Sequence, residues 1–271
     1  MSLLEFFGLR ESPFAITIDS RFFYGSQQHA EALIRLKYAA ENMRGLAVVV
    51  GDIGTGKTTL ATRLLDELDG AVYEAALLIV IHKAVTSEWL LRKIALQLGI
   101  PIPGETKTEL LTQLAQRLQE IFEKGKKAIV LIDEAQMLRN QEVMEDFRGL
   151  LNIEVDGRKV VTFVLFGLPE LDEVLALDRP LQQRVAVRYQ LTDLDATGTE
   201  AYITYRLGIA GCRRPLFQPE TFPAICRATK GTPRLINILC DNALLEAYLR
   251  KQERIGVDLI TEIAKDLKLT A

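Results

Sequence analysis

A chain of 271 residues that is 48% hydrophobic and 25% charged can bury one large core, or a core with a smaller appendage. Its net charge of -3 excludes a global basic field, and with it strong non-specific attraction to nucleic acid as the default. Cys212, Cys226 and Cys240 are widely spaced in helix-like segments and fit neither a disulfide framework nor a zinc ligand set. The longest apolar run, Ala75 to Ile81, is far below the ~18 residues that cross a bilayer. The N-terminus lacks the charged start and cleavage site of a signal peptide, so the expectation is a cytoplasmic protein without a transmembrane segment.

The opening is rich in Phe and contains Pro13, which marks a lead-in that packs on something. Gln27 to Met43 then has helical apolar spacing through Ala32, Leu33, Leu36 and Ala40. From Leu46 strand-like and helix-like segments alternate. Strands are predicted at Leu46 to Val50, Tyr73 to Ile81, Ala128 to Ile132 and Val160 to Phe166. Helices are predicted at Lys57 to Leu68, Ser87 to Leu98, Lys107 to Lys124, Gln141 to Leu151 and shortly after Pro169. Continuous apolar strands separated by amphipathic helices predict an α/β core, a parallel sheet with helices on both faces. From Asp193 the strand signal disappears, and helices at Ala196 to Ala210, Glu220 to Thr229, Pro233 to Lys251 and Val257 to Leu267 predict a small all-helical domain. The expected boundary divides residues 1–192 from 193–271.

The chemistry-bearing segment is Gly51-Asp52-Ile53-Gly54-Thr55-Gly56-Lys57-Thr58-Thr59, between an apolar strand and a helix. Glycines let the backbone curl and aim N–H groups at phosphate oxygens, and the helix N-terminus that follows favours an anion. Lys57 supplies a point charge for the β and γ phosphates, and the Thr58 hydroxyl a magnesium ligand. The strand from Ala128 delivers Asp133 and Glu134 at its C-terminal end, where open α/β sheets bind ligands. Asp133 fits the magnesium-side carboxylate, and Glu134 the base that orients and deprotonates the attacking water. Further cations are needed for the charge that develops on the transferred phosphoryl group. Arg179 and Arg184 both fit a residue that reaches a neighbouring subunit's nucleotide. Arg234, in the first turn after Pro233, fits a residue that reaches back from a lid.

These elements in this order resemble an AAA+ ATPase. More narrowly, the chain is similar to secretion ATPases of the general secretion pathway protein A (ExeA) type. The segments that carry the likeness include Phe7-Gly8-Leu9, Pro13-Phe14, Asp133-Glu134-Ala135-Gln136, Gly167-Leu168-Pro169-Glu170-Leu171, and Gly231 to Ala243. The resemblance implies a P-loop core whose Val160 strand is inserted between the Leu46 and Ala128 strands, followed by a helical lid. It implies Mg-ATP hydrolysis in a ring or filament, Arg184 completing a neighbour's site, Arg234 as a lid sensor, and residues around Arg21 to Gln28 bordering the adenine. Relatives of this type commonly carry a polar residue after the fourth strand, where this chain has Leu168, which implies slow or partner-stimulated turnover. They also continue into a membrane helix and a peptidoglycan-binding part, so membrane or cell-wall attachment is not implied for these residues.

The leading expectation is an ATPase that drives nucleotide-dependent oligomerisation and assembly of a protein partner, in secretion or pilus-like envelope machinery. It would work in the cytoplasm, peripheral at the inner membrane through that partner. A second class is an ATP-dependent DNA-binding regulator of transposition or replication loading, with Arg213-Arg214, Lys124 with Lys126-Lys127, and Arg158-Lys159 as nucleic-acid contacts. A third is a signalling switch that binds ATP with little turnover.

Overall fold

A computed structural model describes residues 1–15, 19–82 and 85–269. Contacts divide the chain into two compact units. One comprises residues 28–53 and 57–191, the other residues 1–27, 54–56 and 192–271.

The first unit is built on seven strands: β1 (Leu46–Gly51), β2 (Tyr73–Ile79), β3 (Lys127–Asp133), β4 (Glu154–Val155), β5 (Arg158–Lys159), β6 (Val161–Gly167) and β7 (Val185–Leu191). Five form one sheet in the order β2-β3-β6-β1-β7, and every pairing in it is parallel. The strand beginning at Val161 therefore lies between the phosphate-loop strand and the Asp133 strand, as the resemblance implied. Every residue of β1 and of β6 is buried. Neighbouring side chains on a strand point to opposite faces, so complete burial requires cover on both. The helix Lys57–Glu67 packs on β1, β2, β3 and β6, while helices Ser87–Gln97 and Lys107–Glu123 pack on each other and on β2 and β3. Side-chain caps set several helix starts. Thr106 and Glu109 close a capping box before Lys107–Glu123, and Asn140 accepts from Glu142 N–H to open Gln141–Leu150.

The second unit holds helices Ala196–Ile209, Thr221–Thr229, Pro233–Leu249 and Val257–Asp266, with a parallel bridge between Phe217 and Ile255. Phe7, Leu9, Phe14 and Phe22 are buried in its core with Ile203, Leu239 and other apolar residues of these helices. The lead-in is thus core material for this unit. Gly231 has φ of +78°, and a Cβ there would stand 1.8 Å from the Leu194 carbonyl oxygen, which makes glycine obligatory before the helix of Pro233.

Four features depart from the sequence reading. A short helix, Leu3–Phe7, opens the chain; Ser2 and Glu5 form its capping box. β4 and β5 form a two-stranded antiparallel ladder that the sequence did not announce. Another short helix, Arg179–Gln182, precedes β7, started by Asp178 and Pro180. Cys212 lies beyond the end of Ala196–Ile209, outside any helix, whereas Cys226 and the fully buried Cys240 are helical.

Candidate functional site

Strand register brings the predicted residues of the first unit to one edge of the sheet. Val50 pairs with Gly167, Ile132 with Leu165 and Ile79 with Asp133, so the C-terminal ends of β1, β3 and β6 lie side by side. That end is where a doubly covered parallel sheet opens for ligands.

Gly51 closes β1, and Asp52 and Ile53 are exposed in the loop. Gly54 and Gly56 take φ of +87° and +100°, so the loop reverses through backbone conformations that side chains disfavour. Lys57 begins the next helix and is only 6% exposed. Its ammonium donates to the carbonyls of Gly51 at 2.8 Å and Asp52 at 2.9 Å. A positive group is therefore held at the loop's mouth. Thr58 and Thr59 follow in the first helical turn, partly buried.

Thr58 Oγ1 donates to Asp133 Oδ2 at 2.5 Å, joining the first turn of that helix to the end of β3. Asp133 is 1% exposed. Burial pushes its carboxyl above the usual carboxylate range and the neighbouring Glu134 charge adds to this, against the downward pull of the Thr58 hydroxyl, the Glu134 N–H and Lys57. A buried carboxylate in this condition is short of positive charge. Hard divalent cations take oxygen donors, and a hydroxyl and a carboxylate already in contact supply two of them. The donor set fits magnesium that arrives with phosphate oxygens and water to complete its coordination.

Glu134 stands half-buried beside this pair, with φ of +56° and ψ of +34°. A left-handed backbone at a non-glycine residue is uncommon and gathers at functional sites. Gln136, in the 3-10 turn Ala135–Met137, donates from Nε2 to Glu134 Oε2 at 2.6 Å and accepts from Leu168 N–H at 3.1 Å. Sequence reasoning gave Gln136 no role. The signals were its place two residues after Glu134 and in the Asp133-Glu134-Ala135-Gln136 segment that carries the likeness, but its second partner lies at another strand end.

The arginines are not gathered with these groups. Arg184 is exposed in the turn before β7, where its guanidinium donates to Asn152 Oδ1 at 2.6 Å and weakly to the Arg148 carbonyl. Arg179 is exposed at the start of its short helix. In the other unit, Arg234 is exposed in the first turn of Pro233–Leu249, and its N–H donates to the Gly54 carbonyl at 3.3 Å. The aromatic residues around Arg21 are engaged in packing: Tyr24 stacks with Tyr202 and Tyr205, and the Tyr205 hydroxyl donates to the Arg21 carbonyl. Of the basic groups read as nucleic-acid contacts, Lys126 pairs with Glu74, Lys159 with Glu154 and Arg214 with Glu253, and Lys127 donates to the Glu41 carbonyl. Among the described residues no helix is long and apolar enough to cross a membrane.

Residues 40–175 match the AAA domain family. The general secretion pathway protein A of Aeromonas hydrophila is 37% identical over 254 residues, which cover 93% of this chain and 46% of that protein, so the chain spans less than half of this relative's length. In shape, the chain is similar to the Aeropyrum pernix ORC2 protein solved as ADPNP-ADP complexes, with a TM-score of 0.73 at 18% identity over 94% of this chain and 71% of that one. It is also similar to Cdc6p from Pyrobaculum aerophilum, with a TM-score of 0.68 at 20% identity over 90% and 67%. At these identities the likeness is one of fold.

Proposed function

The chain belongs to the AAA domain family, and from that premise we propose that it binds and hydrolyses Mg-ATP to drive nucleotide-dependent oligomerisation and the assembly of a partner complex. The observation that carries this reading is the contact of Thr58 with a buried, charge-starved Asp133, beside a lysine held at the mouth of a glycine loop. The curled loop from Gly51 to Thr59 receives the phosphates. Lys57 exchanges its hold on the Gly51 and Asp52 carbonyls for β and γ phosphate oxygens. Thr58 and Asp133 would hold magnesium, which when bound withdraws charge from those oxygens.

Glu134 accepts the proton of a water whose oxygen forms a bond to the γ phosphorus. The bond from that phosphorus to the oxygen bridging the β and γ phosphates breaks, and ADP leaves with the electron pair. Arg184 contributes across a subunit contact, and Arg234 serves as a sensor from a lid of residues 193–271. The partner is proposed to be a protein of envelope secretion or pilus-like machinery, on the strength of the likeness to the general secretion pathway protein A of Aeromonas hydrophila. The chain would meet it in the cytoplasm, peripheral to the inner membrane. A DNA-directed role has less support, because Lys126, Lys159 and Arg214, three of the seven basic residues that would serve it, pair with local carboxylates.

Phosphate release and mass photometry with ATP, ADP or no nucleotide test the reading. Glu134→Gln should keep ATP binding, lose about 100-fold or more in hydrolysis and accumulate as an oligomer, since a general base contributes on that order. Lys57→Ala should lose both binding and assembly; unchanged ATP affinity in that variant would count against the proposal.

A further inference from the structure

Leu168, just after β6, has an apolar side chain, and the hydrogen bond at this strand end runs through its backbone N–H instead. Gln136 reaches from the turn after β3, donates to Glu134 Oε2 at 2.6 Å and accepts from the Leu168 N–H at 3.1 Å. Only one orientation of the amide meets both demands: a carboxylate accepts and a backbone N–H donates, so Nε2 must face Glu134 and Oε1 must face Leu168. The side-chain amide is thus fixed at both ends.

Gly167 makes room for it. A Cβ at Gly167 would lie 2.9 Å from Gln136 Oε1, closer than such atoms approach, and 3.0 Å from Leu171 Cδ2, a tight contact, so the amide end would have to shift. Gly167 has no positive φ to justify glycine on backbone grounds, so what its lack of a side chain provides is this space. The left-handed turn at Glu134 sets the two side chains, two residues apart, within a charge-assisted hydrogen bond of each other. A glutamate otherwise has several rotamers to lose when it meets a reacting water, and here that freedom is restricted beforehand.

We infer that Gln136 is a positioning residue for hydrolysis: it holds the Glu134 carboxylate against the end of β6 through the Leu168 N–H. This rests on the reading of Glu134 as the base. The amide touches neither water nor phosphate in this role and acts through Glu134 alone. Its removal should therefore lower turnover without weakening the grip on ATP.

Gln136→Met keeps the length of the side chain and removes both hydrogen bonds, and Gly167→Ala pushes the amide out while keeping its chemistry. Thermal melts establish that each variant is folded. Steady-state hydrolysis of Mg-ATP should then show kcat reduced about ten- to a hundredfold in Gln136→Met, the range for a reacting group displaced by about an ångström. Gly167→Ala should move kcat in the same direction, and both should bind a fluorescent non-hydrolysable ATP analogue within about twofold of the parent affinity. Glu134→Asp, whose shorter side chain has already lost the amide, provides the decisive background: adding Gln136→Met there should lower kcat by less than about twofold. A parent-like kcat in both single variants, or full multiplication of the two losses, would overturn the inference. If instead the parent and Glu134→Gln hydrolyse ATP equally, the assignment of the base has failed and this inference falls with it.

Discussion

Asp133 illustrates how a single residue trades stability for a site. Its carboxyl is buried at the end of β3, and burial is the main reason its pKa is raised. The folded chain therefore holds that proton more tightly than the unfolded chain. This contribution to stability is fully present below the unfolded value, about pH 4, and is lost as pH rises through the raised folded value. At neutral pH the nucleotide-free fold bears the cost of a buried charge without a cation. Asp133→Asn can turn its amide oxygen to the Glu134 N–H and its NH2 to the Thr58 hydroxyl oxygen while discarding the charge, so it should melt higher than the parent at pH 7 to 8 without ligand. The gain should shrink as pH falls toward 4. With Mg-ATP added, the parent should gain more than the variant, because binding to the folded state alone stabilises by mass action. Melting curves across pH, with and without Mg-ATP, measure both effects. A difference independent of pH would show that the charge is not its source.

At the scale of elements, one buried arginine ties the chain's opening to its helices. Arg206, 7% exposed in Ala196–Ile209, donates to the Pro13 carbonyl at 2.6 Å, the Ala15 carbonyl at 3.1 Å and the Tyr202 hydroxyl at 3.0 Å, with Phe22 against its guanidinium. Arg206→Met fills the volume and abandons these acceptors, at a cost of about 1–3 kcal/mol for each group left buried and unsatisfied. A net loss of about 3 kcal/mol corresponds to about two powers of ten in opening. Hydrogen exchange at Arg10, whose N–H donates to the Ala210 carbonyl at 2.8 Å, should accelerate by that factor, and unchanged protection would refute the tie. This tie was not legible in the sequence, because the partners lie nearly two hundred residues apart and no local period relates them. β1, β3 and β6 were legible: each is an apolar run buried on both faces, and the pattern alone demands a covered parallel sheet. The loop and the Asp133–Glu134 pair were legible for a related reason, since glycine spacing and carboxylates at a strand end are local. Gln136 was not, since its function depends on β6 lying beside β3, a neighbour relation that sheet order creates. The β4–β5 ladder escaped because two residues in each strand leave no alternation to detect.

At the scale of the whole molecule, the proposed hydrolytic site at the edge of the sheet turns on which residue completes it. Lys57, Thr58, Asp133 and Glu134 come together within one chain, whereas Arg184 is occupied on the surface by Asn152 and the Arg148 carbonyl. A guanidinium held this way is pre-ordered and exposed, the condition for a group offered to a second copy; the bonds it would give up go to neutral acceptors in contact with solvent, where water can replace them. If Arg184 completes a neighbour's site, hydrolysis per subunit should rise with protein concentration, because only assembled subunits have complete sites. Arg184→Ala should lower kcat about 1,000-fold or more while leaving ATP binding in its own subunit intact, as for other arginines supplied in trans. Mixing separates this role from one within the subunit. Lys57→Ala subunits have an intact Arg184 but an impaired loop, and Arg184→Ala subunits have the reverse, so a mixed assembly contains interfaces at which both intact halves meet. Activity should therefore reappear when two nearly inactive preparations are combined, reaching a maximum near equal proportions. If the mixture shows only the sum of the two residual rates at concentrations where mass photometry shows mixed oligomers, Arg184 does not act across the interface. Arg179→Ala, tested in the same mixture, then decides whether the neighbouring arginine does.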